Sequence, residues 1–270
     1  MRPERTQPGN PHRLTTKQHT LPKRSIERFA IDGGVEVHEV KSGRTRRRSA
    51  ADVLFCAERV WDHRIEHGLM GDIEIAFQQI ADRILAGERT FAPDEHAAIT
   101  DYYLLWILRH KFKQRPLADQ KLRMRRPERP IDKDTEEHLE KHGVMFFRND
   151  GTMPGRLLVG PSLHGILDDN RVRMAGTTWG ILRARPGHGE FLVPDTFSMF
   201  SIVPLTPEIC LVAGMENSVA DFRAIGHFNG VAVENSAQYY FARNLNQCPI
   251  LKQAVARHAI ETAFDTNGQA

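Results

Sequence analysis

Apolar residues fall at helical spacing in two central stretches, and these set the expected architecture. Ile73, Ala76, Phe77, Ile80 and Ile84 share one helical face, which predicts a helix over 72–86 with Asp72 capping its start and Gly87 closing it. A second helix opens at Pro93-Asp94-Glu95 and runs to about Phe112. Its middle is apolar nearly all round, as expected of a central buried helix. A polar helix over 132–142 ends at Gly143. Upstream, Pro22–Ala30 reads as a short helix with Ile26 and Phe29 on one face. Asp32-Gly33-Gly34 and Lys41-Ser42-Gly43-Arg44 are turn signals around Val35, Val37 and Val40, so 35–40 and 45–50 form a hairpin.

The pattern changes after Gly143. Short apolar runs broken by proline and glycine predict strands at 144–147, 179–184, 191–193, 200–203 and 209–212. Helices are expected at 218–227 and 249–262, and 228–243 fits either state. The fold class expected is α+β, a helical N-terminal and central part packed with a mostly antiparallel C-terminal sheet. Residues 1–16 lack periodicity and read as a disordered arm. Residues 17–265 are expected to form one compact domain, with a sub-domain joint near 113–132.

Composition narrows the setting. Of 270 residues, 40% are hydrophobic and 26% charged, as in an ordinary globular protein. Cys56, Cys210 and Cys248 are far apart and form no Cys-x-x-Cys, which points to reduced, buried thiols. The charged N-terminus has no signal-peptide core. The apolar run at 102–108 is far short of the roughly 20 residues that cross a membrane. A cytoplasmic protein without a membrane partner is expected.

Charge is unevenly spread. Residues 1–48 hold 12 Lys/Arg against 5 Asp/Glu, and 109–130 hold 9 against 2, although the net charge of the chain is only +3. Two basic segments on an acidic remainder suit a polyanionic partner. Arg46, Arg47 and Arg48, then Lys121, Arg123, Arg125 and Arg126, are the candidate nucleic-acid contacts, since guanidinium groups match phosphate oxygens. Arg44, Arg109, Lys111, Lys113, Arg115 and Arg129 extend the two segments. Phe112 is the only Phe, Tyr or Trp in 109–130, so base stacking is not indicated there. The competing readings are a solvated face and ion pairs to the acidic remainder.

Few motifs carry chemistry. His63-Arg64-Ile65-Glu66-His67 fits the H-x-x-E-H arrangement, two zinc-binding imidazoles and a general base on one helix face, but Gly68 and Gly71 follow and no third ligand is evident. His138 and His142 share the same spacing in a highly charged helix. Asp168, Asp169 and Asp195, with His164, are candidates for a divalent metal; their structural reading is a helix end and a strand-end turn. No lysine lies between Lys141 and Lys252, which removes a PD-(D/E)xK nuclease reading of Pro194-Asp195. No phosphate-binding glycine motif or nucleophile elbow occurs.

Several segments together resemble a bacterial family, domain of unknown function 4238. They are Gln18-His19-Thr20-Leu21-Pro22, the helix ending in Phe29, the hairpin at 35–48, Asp72-Ile73-Glu74, Phe191-Leu192-Val193-Pro194-Asp195, Val203-Pro204-Leu205-Thr206-Pro207, and 229–244. The resemblance spans about 17–245. It departs at Pro194 and Thr196-Phe197, where the family has Ser before and Asn-Pro after the aspartate. It implies a bacterial or mobile-element (plasmid, phage) origin without an established activity. It carries over His19, Glu74 and Asp195 as candidate catalytic positions. Two function classes follow: a nucleic-acid-associated effector of a host-interaction, defence or plasmid-maintenance system, and a non-enzymatic protein that meets an acidic protein partner. Zinc-dependent hydrolysis is the third.

Overall fold

The computed structural model describes residues 4–123, 130–197 and 201–251. In chain order the elements are β1 (Lys17–His19), α1 (Lys23–Glu27), β2 (Val35–Glu39), β3 (Arg44–Arg48), β4 (Cys56–Glu58), α2 (His63–His67), α3 (Leu69–Leu85), α4 (Pro93–Gln114), β5 (Gln120–Lys121), α5 (Lys133–Lys141), β6 (Thr152–Met153), α6 (Gly155–Arg173), β7 (Trp179–Ala184), β8 (Val193–Pro194), β9 (Ile202–Thr206), β10 (Ile209–Ala213), β11 (Ser218–Ala220), α7 (Phe222–Asn235) and β12 (Tyr239–Ala242). The fold is α+β and its sheets are dominated by antiparallel pairs. No helix among the described residues is long and apolar enough to cross a membrane.

The chain divides into two compact units, one of the residues up to Pro22 with Val53–Gly176, the other of Lys23–Asp52 with the residues from Thr177. The division falls elsewhere than the joint expected near 113–132, because β2 pairs with β12, a strand some 200 residues further along.

The first unit is mainly helical. Helix α4 packs against α3 and α6, and the Phe77 and Tyr102 rings stack 3.6 Å apart between α3 and α4. Ile73, Phe77, Ile80 and Ile84 are buried as the periodicity predicts. The helix starts earlier than expected, at Leu69, so Asp72 lies in its first turn and Gly68 holds the cap position. A carboxylate there still favours the positive end of the helix.

Helix α6 is absent from the sequence reading beyond its end at 167–170. Gly155, Gly160, Gly165 and Pro161 weaken its local signal, yet Leu157, Val159, Leu163 and Leu167 form a buried stripe. A side chain at Gly155 would meet Leu117 O at 2.0 Å, so the glycine lets the chain before β5 pass close to the helix start. The expected strand at 144–147 does not form.

The second unit contains two four-stranded sheets, ordered β11-β7-β10-β9 and β3-β2-β12-β8. The helix expected at 218–227 starts at Phe222, after the short strand β11, and continues to Asn235. Asn229 of α7 is buried. It accepts a hydrogen bond from Leu192 N at 3.0 Å and donates to Glu190 O and Pro249 O at 2.8 and 2.9 Å. Gly230 lets Leu251 cross the helix, since a Cβ there would lie 1.9 Å from Leu251 O. The helix expected at 249–262 lies almost entirely outside the described residues.

Candidate functional site

The predicted hairpin forms in the register Val35↔Arg48 to Glu39↔Arg44. Strand β3 is an outer strand of its sheet. Alternation places Arg44, Arg46 and Arg48 opposite Glu39, Val37 and Val35, on the face that buries Val35, Val37 and Phe241. Thr45 and Arg47 lie opposite His38 and Glu36 on the other face.

The five positions are not equivalent. Arg48 is paired: Nη2 lies 2.9 Å from Glu39 Oε1 and Nη1 3.2 Å from Asp52 Oδ2. Its hydrogen bond holds the Glu39 carboxyl below the usual range. Arg47 donates to Gly34 O at 3.3 Å and stands 4.0 Å from Asp32. Arg44 and Arg46 are exposed and have no carboxylate within 4.0 Å among the described residues. Beside Arg47, the His38 and Tyr240 rings stack at 4.9 Å, and His38 Nδ1 is 3.0 Å from Thr45 Oγ1.

The second basic segment is less uniform than its composition suggests. Arg109 is 2% exposed and belongs to the interior of the first unit. It pairs with Glu74, approaches Glu66 at 3.6 Å, and lies 5.7 Å from the Trp61 ring centre. Lys113 donates to Leu54 O at 2.6 Å. Lys121 and Arg123 are exposed, with Lys121 3.9 Å from Asp150. Arg125, Arg126 and Arg129 lie outside the described residues. The hairpin arginines belong to one unit, and Lys121 and Arg123 to the other.

The three positions carried over from the resemblance fall on different elements. His19 ends β1, opposite Cys56. Glu74 lies on α3 and is engaged by Arg109. Asp195, in the other unit, is 2% exposed; its two oxygens accept from Ala237 N and Gln238 N, both at 2.8 Å. Asp195 therefore ties the turn between α7 and β12 to the end of β8. Asp168 binds Arg171 at 3.0 Å, and Asp169 and His164 are exposed on α6. Among the described residues no group of three or more His, Cys, Asp or Glu could hold a metal ion.

The H-x-x-E-H residues split: the His63 and His67 rings meet, their centres 4.2 Å apart, while Glu66 turns away from them. Glu66 accepts from Trp61 Nε1 and faces Arg109. Both imidazoles turn to Thr15 Oγ1, His63 Nδ1 at 3.3 Å and His67 Nε2 at 2.9 Å, while Lys141 Nζ lies 2.8 Å from His63 Nε2. Burial, then His67 and Lys141, push His63 down to about 4 from 6.5. Between these values the unfolded chain takes up the proton first. The His63 contribution to stability is therefore complete above pH 6.5 and is lost as pH falls toward 4. After screening it amounts to about 1 kcal/mol. Thermal melts across this range should show that loss, and His63→Asn should flatten it.

One charged cluster has no sequence signal at all. Glu4 receives Lys133, Arg148 and Arg156, from positions 129 to 152 residues away in the chain. Residues 4–16, the described part of the 1–16 segment expected as a disordered arm, are also tied by Gln7 N to Glu137 at 2.8 Å and by His12 to Asp134 at 2.8 Å. Cys210 and Cys248 are buried free thiols. Burial raises both, Cys248 to about 12, so neither supplies a thiolate nucleophile near neutral pH. No family model, curated protein or solved structure matches this chain.

Proposed function

We propose that the protein binds nucleic acid through its phosphate backbone, with the exposed β3 edge strand as the contact. The observation that carries this reading is the pair Arg44 and Arg46, presented side by side on an outer strand with no carboxylate within 4.0 Å among the described residues, and with Lys41 exposed in the adjoining turn. Same-face positions on a strand are about 7 Å apart, and extended arginines there can each fork onto phosphate oxygens. Such contacts supply affinity without reading sequence. Glu74 and Asp195 are engaged by structural partners, which favours binding over hydrolysis as the role of this chain.

Edge-strand arginines also deter pairing with another strand, and the two roles separate experimentally. Binding to labelled single- and double-stranded DNA and RNA should weaken steeply with salt. Arg44→Ala, Arg46→Ala and Arg47→Ala combined should reduce the slope of log K against log salt by about 2–3. Arg83→Ala, which removes an exposed arginine paired with Glu88 and Glu95, should leave that slope unchanged. An unaltered slope in the triple variant, with aggregation as its only phenotype, would reject the nucleic-acid reading. Absence of binding at low salt would turn attention to an acidic protein partner.

A further inference from the structure

The geometry points to a binding site for a phosphate monoester group formed by Lys133, Arg148 and Arg156, with Glu4 of the N-terminal segment as its displaceable internal occupant. This site is separate from the β3 edge and stands without it.

Three elements supply the cations: the start of α5, the loop after it, and the first turn of α6. All three reach the Glu4 carboxylate, Arg148 Nη2 at 2.5 Å. Burial acts to raise the Glu4 carboxyl, but the Arg148 hydrogen bond, the Arg156 charge and Lys133 outweigh it and hold Glu4 at about 2. The site thus strongly favours an anion.

The cations are also held in place by groups other than Glu4. Arg148 Nε is 3.0 Å from Glu136 Oε1, and its Nη1 is 3.8 Å from Asp119. Arg156 Nε donates to Glu140 Oε2 at 2.9 Å, and Arg59 Nη2 reaches the same oxygen at 2.7 Å. Lys133 lies 3.7 Å from Glu136 and 3.9 Å from Glu137. The donors therefore stay aimed when Glu4 leaves, the condition for a preorganised site. Arg59 Nε and Arg156 Nη2 are buried without a hydrogen-bond acceptor among the described residues; Arg156 Nη2 is 2.8 Å from Glu140 but poorly directed. A carboxylate has two oxygens to offer, whereas a phosphate monoester has three.

Glu4 is suited to leave. Residues 4–13 form no helix or strand, and their backbone–backbone hydrogen bonds, Asn10 N to Gln7 O and Arg13 N to Asn10 O, stay within the segment. The segment is anchored to the rest of the unit by Gln7 N to Glu137, by His12 to Asp134, and by Arg59 Nη1 to the Glu4 carbonyl at 3.3 Å, which holds the Glu4 backbone and not its carboxylate. The Glu4 side chain is 34% exposed, so the site opens to solvent.

The test uses the full chain and inorganic phosphate, then phosphoserine as a free amino acid, at constant ionic strength against chloride. Glu4→Gln keeps the shape of the plug and removes its charge. Phosphate should raise the melting temperature of Glu4→Gln and broaden the phosphorus resonance, with apparent affinity at least about tenfold above that of the wild type, where a tethered carboxylate competes. Lys133→Ala with Arg148→Gln, added to Glu4→Gln, should abolish both effects. Glu4→Gln that melts cooperatively yet responds no more to phosphate than to chloride overturns the proposal. A response that survives loss of Lys133 and Arg148 also overturns it. Phosphoserine acting as strongly as inorganic phosphate is the expected result for a monoester site; a response to inorganic phosphate alone overturns the assigned class.

Discussion

Asp195→Ala is expected to destabilise the protein by about 3–5 kcal/mol. The carboxylate is buried, and each oxygen accepts one backbone N–H, from Ala237 and Gln238. Alanine removes the acceptor of both donors. The backbone bonds from Asp195 N to Tyr239 O, at 3.0 Å, and from Val40 N to Gln238 O, at 2.9 Å, do not depend on the carboxylate. The turn sets the start of β12, and with it the burial of Tyr239 and Phe241. Asp195→Asn keeps one acceptor and should cost about half as much. Urea unfolding followed by circular dichroism measures both. Asp195→Asn with wild-type stability would mean that the carboxylate has a role other than anchoring the turn, and the catalytic assignment would return.

Glu140→Ala should have an effect of similar size for a different reason. Its side chain is 1% exposed and lies between Arg59 and Arg156, whose own side chains are 1% and 5% exposed. Removing the carboxylate leaves two buried guanidinium groups facing each other without their shared counter-ion. Breaking a buried pair in this way costs about 3–5 kcal/mol, well above the net worth of making it. The loss should persist in high salt, because buried charges are poorly screened. Glu88→Ala is the contrast: it removes an exposed partner of Arg83, a pair screened by water and salt, so its loss should be far smaller and should fade in high salt. A loss below about 1 kcal/mol in Glu140→Ala would show that water or a rearranged Glu136 takes over the two arginines.

Much of the local structure was legible from the chain. The face of α3 is written in Ile73, Phe77, Ile80 and Ile84, which need only a partner of any apolar kind to form a helix. The hairpin is written in Asp32-Gly33-Gly34 and in Gly43, whose φ of +64° suits the residue without a Cβ. Helix α6 was not legible, because three glycines and Pro161 oppose it locally and only the burial of Leu157, Leu163 and Leu167 outweighs them. The run 144–147 shows the converse: it has strand-like composition, but no strand among the described residues pairs with it, and Val144 is left 46% exposed.

Charge was the least legible quantity. Arg109, Lys111 and Lys113 read as one basic patch, yet Arg109 turns inward to Glu74 and Glu66. Arg46 and Arg48 are two residues apart on one strand, yet among the described residues only Arg48 has carboxylates within 4.0 Å. Glu4 and Arg156 meet across 152 positions. The fold class, the helices of strong period and the hairpin follow from spacing along the chain. Which charges pair with one another and which face solvent follows from how the elements pack. A Coulomb partner is chosen by distance in space and by burial, and neither is encoded in the order of neighbouring residues.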